Sequence, residues 1–122
     1  MSKRILVVDD ESTITELIDV LLSGEGYEVV TATNGTSGLE KVDSVNPDLI
    51  ITDISMPDME GVEFISRLRK KSISTPIIAM SGNAVGMNFL KATRLFGATE
   101  TILKPFSTQE FVAAVRRSLS EE

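Results

Sequence analysis

The chain has 122 residues, of which 42% are apolar and 25% charged; that suits one globular domain, leaves little room for two, and is too apolar for disorder. Cysteine and histidine are both absent, which excludes disulfide frameworks, thiol nucleophiles, thiolate or imidazole metal sites and Ser-His-Asp triads. A formal net charge of −6 with no basic stripe argues against direct binding of nucleic acid.

Met1-Ser2-Lys3-Arg4-Ile5 runs straight into an apolar segment of strand length. No long h-region or cleavage site precedes it, so no signal peptide is read. No apolar run approaches the ~20 residues that span a bilayer. The expectation is a soluble, cytoplasmic protein.

Ile5-Leu6-Val7-Val8 is a continuous apolar run that stops at Asp9-Asp10. Such a run predicts a strand buried on both faces, as in a parallel sheet. Ser12 is the expected cap of a first helix, whose stripe is Ile14, Leu17, Ile18, Leu21 and Leu22, with Gly24 and Gly26 ending it. Glu28 to Ala32 reads as a second strand. Asn34-Gly35 reads as a turn, and Leu39, Val42 and Val45 mark a second helix that Pro47 breaks. Asp48 to Thr52 is a third strand ending at Asp53.

Past a loop with Pro57 and Gly61, the residues Val62, Phe64, Ile65 and Leu68 mark a third helix. Arg67, Arg69, Lys70 and Lys71 gather at its cation-favouring end. Pro76 to Met80 is a fourth strand, Ser81-Gly82-Asn83 a turn, and about Val85 to Phe96 a fourth helix. Thr101-Ile102-Leu103 is a short fifth strand before Lys104-Pro105. Ser107 and Glu110 form a capping-box pattern for a fifth helix, with the stripe Phe111, Val112, Val115 and Leu119. Strand and helix thus alternate through the chain. The alternation predicts an α/β fold in which right-handed crossovers build a doubly wound parallel sheet with helices on both faces.

In an open parallel sheet, ligands bind at the carboxyl ends of the strands. Those ends carry Asp9 and Asp10, Asp53, Ser81 and Lys104. Clustered carboxylates repel one another unless a cation joins them. Lys104 supplies one positive charge, and Mg²⁺ or Mn²⁺ suits an all-oxygen set of carboxylates plus a phosphate. An Asp carboxylate is also an accepted nucleophile toward phosphorus. Taken singly, each residue has a plainer reading: Asp as a turn or cap, Ser81 as turn chemistry beside Gly82, Lys104 as a solvated surface residue. Their coincidence at strand ends is what the plain readings leave unexplained. On base rates alone, the Lys104–Pro105 bond is trans.

These residues resemble the receiver domain of two-component response regulators over essentially the whole chain, 1–122 as one domain. The resemblance rests on Ile5-Leu6-Val7-Val8-Asp9-Asp10-Glu11, on Pro47 through Gly61 around Asp53, on Pro76-Ile77-Ile78-Ala79-Met80-Ser81-Gly82, on Gly97-Ala98 and on Leu103-Lys104-Pro105-Phe106. It implies a flavodoxin-like (βα)5 sandwich with strand order 2-1-3-4-5. Asp53 is then the phospho-acceptor. Asp10, Asp53 and the backbone carbonyl of Ser55 are then direct Mg²⁺ ligands, with Asp9 acting through a metal-bound water. Ser81 and Lys104 contact the phosphoryl group, and Lys104 pairs with Asp53 before phosphorylation. The Lys104–Pro105 bond is then cis.

The resemblance further implies phosphate from a sensor histidine kinase or phosphotransfer protein, and a switched surface of the fourth helix, fifth strand and fifth helix that binds a downstream protein. It implies a signalling switch rather than an enzyme, monomeric or dimerising on phosphorylation. Thr101 departs from the pattern, standing where the family often carries an aromatic that swings inward on activation. Ser55 and Asn83 take positions that tune dephosphorylation in the family. The chain ends at Glu121-Glu122, just past its last predicted helix, so it is expected to be a stand-alone receiver or one excised from a longer protein.

Three other readings meet obstacles in the residues. A haloacid-dehalogenase-type phosphatase needs a second Asp two residues after the nucleophile, where Ser55 stands. A flavin or nucleotide module needs a phosphate-cradling loop after strand one, and Asp9-Asp10-Glu11 repels phosphate, while Gly24-Glu25-Gly26 precedes a strand rather than a helix. A receiver that only binds partners would not need the full set of site residues.

Overall fold

The apolar runs become five strands in the computed structural model, which describes residues 2–54, 61–82 and 97–120. They are β1 (Arg4–Val8), β2 (Glu28–Ala32), β3 (Leu49–Asp53), β4 (Ile77–Ser81) and β5 (Glu100–Leu103). All pair in parallel, in the order β2-β1-β3-β4-β5. Four helices are described: α1 (Ser12–Gly24), α2 (Gly35–Val45), α3 (Gly61–Lys70) and α4 (Thr108–Ser118). The helix expected over 85–96 lies outside the described residues.

Strand side chains alternate between faces, so each central strand feeds two cores. Leu6, Val8, Ile50, Ile77 and Ala79 meet Phe64, Ile65 and Leu68 of α3 and Val42 of α2 on one face. Ile5, Val7, Leu49, Ile51, Ile78 and Met80 meet Ile18 and Leu22 of α1 and Phe111, Ala114 and Val115 of α4 on the other. This double burial is why the strands read as unbroken apolar runs rather than alternating ones. The edge strands β2 and β5 are only half-covered. On β2, Lys41 Nζ donates to the Thr31 carbonyl, occupying an edge acceptor.

Three local expectations change. Ser12 is the first residue of α1 and not its cap; Glu11 takes the cap position without a side-chain cap bond. The reason lies one step upstream, where Asp9 Oδ1 accepts the Glu11 N–H at 2.9 Å and fixes the entry to the helix. Asn34 is not a simple turn residue but the cap of α2, its side chain accepting from the Ser37 N–H. Leu17 is 47% exposed, because Thr15, Ile18 and Leu22 form the buried face of α1. The cap of α4 by Ser107, accepting from the Glu110 N–H, is as expected.

Phe64 is fully buried against β-sheet and α2 residues, whereas Leu17 is half in water. Urea unfolding of Phe64→Ala should show a loss of about 3–5 kcal/mol, and that of Leu17→Ala a change within about 0.5 kcal/mol of surface background. Similar losses for the two variants would contradict the packing described.

Candidate functional site

Burial on both faces leaves the strand ends as the place for charged groups, and four of them converge there. Asp9 follows β1 and is fully buried; Asp10 beside it is exposed. Asp53 is the last residue of β3 and 7% exposed. Ser81 is the last residue of β4 and 4% exposed. The β3–β4 register sets Asp53 opposite Met80, so Ser81 stands one residue beyond that rung. Lys104 follows β5, and its N–H donates to the Ser81 carbonyl at 2.8 Å.

Carboxylate oxygens of Asp9, Asp10 and Asp53 lie within 4.8 Å of one another. One ammonium serves them. Lys104 Nζ donates to Asp9 Oδ2 at 2.8 Å, and lies 3.5 Å from Glu11 Oε1 and 3.8 Å from Asp53 Oδ1. The expected Lys104–Asp53 pairing is therefore secondary, and Asp9 is the principal partner. The physical reason is burial. Asp9 has no water to turn to, and an unpaired buried carboxylate costs more than a partly solvated one. Asp9 is thus satisfied at both oxygens, by Lys104 and by the Glu11 N–H.

Asp53 responds to its burial and its charged neighbours. Burial, above all, pushes its carboxyl from the usual 3.8 up to about 6; Lys104 pulls it down, Asp9 and Asp10 push it up, and a hydrogen bond from the Ile54 backbone pulls it down again. Lys104 moves upward. Burial opposes its charge, but the Asp9 hydrogen bond and the charges of Asp53, Asp9 and Glu11 outweigh that.

The donor set fits a hard divalent cation such as Mg²⁺ or Mn²⁺: three carboxylates, all oxygen, with one ammonium among them. Ser55 lies outside the described residues, as does Asn83. Thr101 sits on β5 opposite Ala79 and lines a hollow of ≈ 420 Å³ between β5 and α4. Lys104–Pro105 is cis, against the base rate and as the resemblance implies.

Two contributors escaped the sequence reading. Glu11 reaches Lys104, and only its place after the Asp pair hinted at this. Gly61 opens α3 against the end of β3; a Cβ there would lie 2.3 Å from the Asp53 carbonyl oxygen and 2.4 Å from Ile54 Cα. Its N–H closes the intervening loop by donating to the Ile54 carbonyl at 3.0 Å.

A carboxyl raised in the folded state resists ionising there, so stability falls as pH climbs from the unfolded value through the folded one. For Asp53 that window runs from 3.8 to about 6. In metal-free protein, Asp53→Asn should gain about 1–3 kcal/mol at pH 7.5 and nothing below pH ~4. Urea titrations at the two pH values check this, and an equal gain at both would contradict it.

A family model for the response regulator receiver domain matches residues 5–116. The alkaline phosphatase synthesis transcriptional regulatory protein PhoP of Bacillus subtilis is 36% identical over 119 residues, covering 98% of this chain and 49% of its own length. A putative response regulator from Chloroflexus aurantiacus has a similar solved structure, with TM-score 0.92, 29% identity and coverage of 99% and 100% of the two chains. The chemotaxis protein CheY4 of Vibrio cholerae superposes with TM-score 0.89 at 31% identity, covering 98% of this chain and 100% of its own. The chain spans about half the length of the curated relatives it matches.

Proposed function

The chain belongs to the response regulator receiver domain family, and we propose that it is a phospho-accepting switch in which Asp53 takes a phosphoryl group. The observation that carries this reading is the position of Asp53: a nearly buried carboxylate at a strand end, within 4.8 Å of two others and beside Lys104. Asp10 and Asp53 would hold Mg²⁺ or Mn²⁺ directly, with the Ser55 carbonyl as a third ligand. Asp9, already satisfied by protein donors, suits a contact through water. The bound cation supplies neutralisation of the phosphoryl oxygens as charge develops.

In the transfer, an Asp53 carboxylate oxygen forms a bond to phosphorus as the bond to the donor's leaving group breaks. The donor is a phosphohistidine on a sensor histidine kinase or phosphotransfer protein, and imidazole leaves with the electron pair. The product is an acyl phosphate on Asp53. Lys104 and Ser81 donate to the phosphoryl oxygens. Lys104 must turn from Asp9 to do so, and Ser81 moves with it, since the Lys104 N–H holds the Ser81 carbonyl. Phosphorylation adds about −1.5 to −2 charge at this point, and the state that makes these contacts gains population.

The surface that reads the change comprises β5, α4 and the segment before β5, and its client is a downstream protein. With Thr101 on β5, the readout proceeds without the inward-turning aromatic. We assign no catalysis beyond the domain's own phosphorylation and dephosphorylation, and no direct nucleic-acid contact to this acidic domain. Association is monomeric or a phosphorylation-dependent dimer. No described helix is long and apolar enough to cross a membrane, in keeping with action in the cytoplasm.

Mass spectrometry after incubation with acetyl phosphate and Mg²⁺ tests the assignment. Wild type should gain one phosphoryl group, Asp53→Asn none, and chelation should abolish the gain. Lys104→Met should slow it about 100-fold. Equal phosphorylation of wild type and Asp53→Asn would sink the reading.

A further inference from the structure

The basic residues that end α3 do different work. Arg67 pairs with Glu63 on the surface. Arg69 is half-buried, and among the described residues no carboxylate pairs with it. Its guanidinium instead grips three backbone carbonyls. Nη1 donates to Ile73 at 2.6 Å and Thr75 at 2.9 Å, both in the connection into β4. Nη2 donates to Gly97 at 2.7 Å, in the connection into β5. Gly97 has φ +120, and a Cβ there would lie 2.7 Å from Arg69 Nε. The backbone at this point is shaped around the guanidinium.

Thr99 continues the clamp. Its Oγ1 accepts the Ile77 N–H at 3.0 Å, and the Ile77 carbonyl accepts both the Thr99 hydroxyl at 2.9 Å and the Thr99 N–H at 2.8 Å. From that base the β4–β5 ladder climbs through Ile78–Glu100, Ala79–Thr101, Met80–Ile102 and Ser81–Leu103. It closes with the Lys104 N–H on the Ser81 carbonyl. The two residues assigned to the phosphoryl group therefore sit on adjoining strands whose other ends Arg69 ties together. Asp10 lies beyond β1 and Asp53 ends β3, strands to which Arg69 donates no hydrogen bond.

We propose that Arg69 is a positioning residue for the Ser81–Lys104 pair: it fixes the amino-terminal ends of β4 and β5, so that the displacement accompanying phosphorylation is confined to their carboxyl ends. The inference rests on the phospho-acceptor reading above. Arginine suits the role because its planar fork of donors reaches several acceptors at once, which a lysine ammonium on a flexible stem does not reproduce.

Two ligands separate the halves of the site. Mn²⁺ alone, followed by paramagnetic relaxation, reads the carboxylates. Beryllofluoride at saturating Mg²⁺ reads the complete pocket, including Ser81 and Lys104. Arg69→Met should keep Mn²⁺ affinity within about twofold of wild type and weaken beryllofluoride about three- to tenfold, with Arg69→Lys intermediate. Gly97→Ala crowds the same guanidinium from the other side and should act in the same sense. Amide resonances of Ser81 and Lys104 should shift in the ligand-free Arg69→Met protein.

Parallel loss of both affinities in Arg69→Met, in proportion to lost stability, marks a merely structural staple and overturns the proposal. So does unchanged beryllofluoride binding. Should wild type itself fail to bind beryllofluoride in an Asp53-dependent way, the phospho-acceptor reading falls instead. The Ser81 and Lys104 amides then still decide whether Arg69 positions them: unshifted resonances in Arg69→Met overturn that as well.

Discussion

A strand covered by helices on both sides has no lateral face on which to keep a charge in water. In this fold β1, β3 and β4 are buried along nearly their whole length. Ionisable groups collect where the ladder stops, and parallel pairing brings every strand's carboxyl end to the same edge. The concentration of Asp9, Asp10, Asp53, Ser81 and Lys104 is therefore a consequence of how the core is built. What needs explaining is why so many of them carry the same sign.

The answer lies in how the one ammonium is shared. Lys104 is committed to Asp9, the most deeply buried of the carboxylates, and reaches Asp53 only at 3.8 Å. Burial, above all, raises the proton affinity of Asp53; Lys104 only partly offsets it, and Asp9 and Asp10 add repulsion. A carboxylate in that condition binds a cation readily, because the cation relieves repulsion already present. The same shortage links the cation to the lysine. If Lys104 turns to a phosphoryl oxygen, Asp9 loses its partner and must find positive charge elsewhere. A divalent ion nearby offsets that loss. The acids that hold the lysine would thus also draw in the ion that lets it turn.

The sheet was readable in the sequence because double burial writes an apolar run of strand length, and every such run became a strand. Helix starts were less readable. Ser12 and Asn34 both look like turn or cap residues, and only three-dimensional context shows that Asp9 makes a cap at Ser12 unnecessary while Asn34 provides one for α2. The membership of the site followed from strand ends and resemblance. Its pairing did not, since choosing between Asp9 and Asp53 as the lysine's partner depends on relative burial. Arg69 was unreadable for a different reason. It looked like a cation at a helix end, and its acceptors are backbone carbonyls, which leave no mark on residue identity.

The bond between Lys104 and Asp9 spans 95 positions, and no other hydrogen bond among the described residues spans more. A contact that closes so long a loop is entropically among the slowest to establish. Asp9, Asp10 and Asp53 all emerge early during synthesis, and β1 can pair with β2 and β3 before Lys104 exists. Until the lysine arrives, the nascent edge holds three carboxylates and no ammonium. A partial fold that stops short of β5 presents the acids without their counter-charge, and only a chain extended past Lys104 presents both.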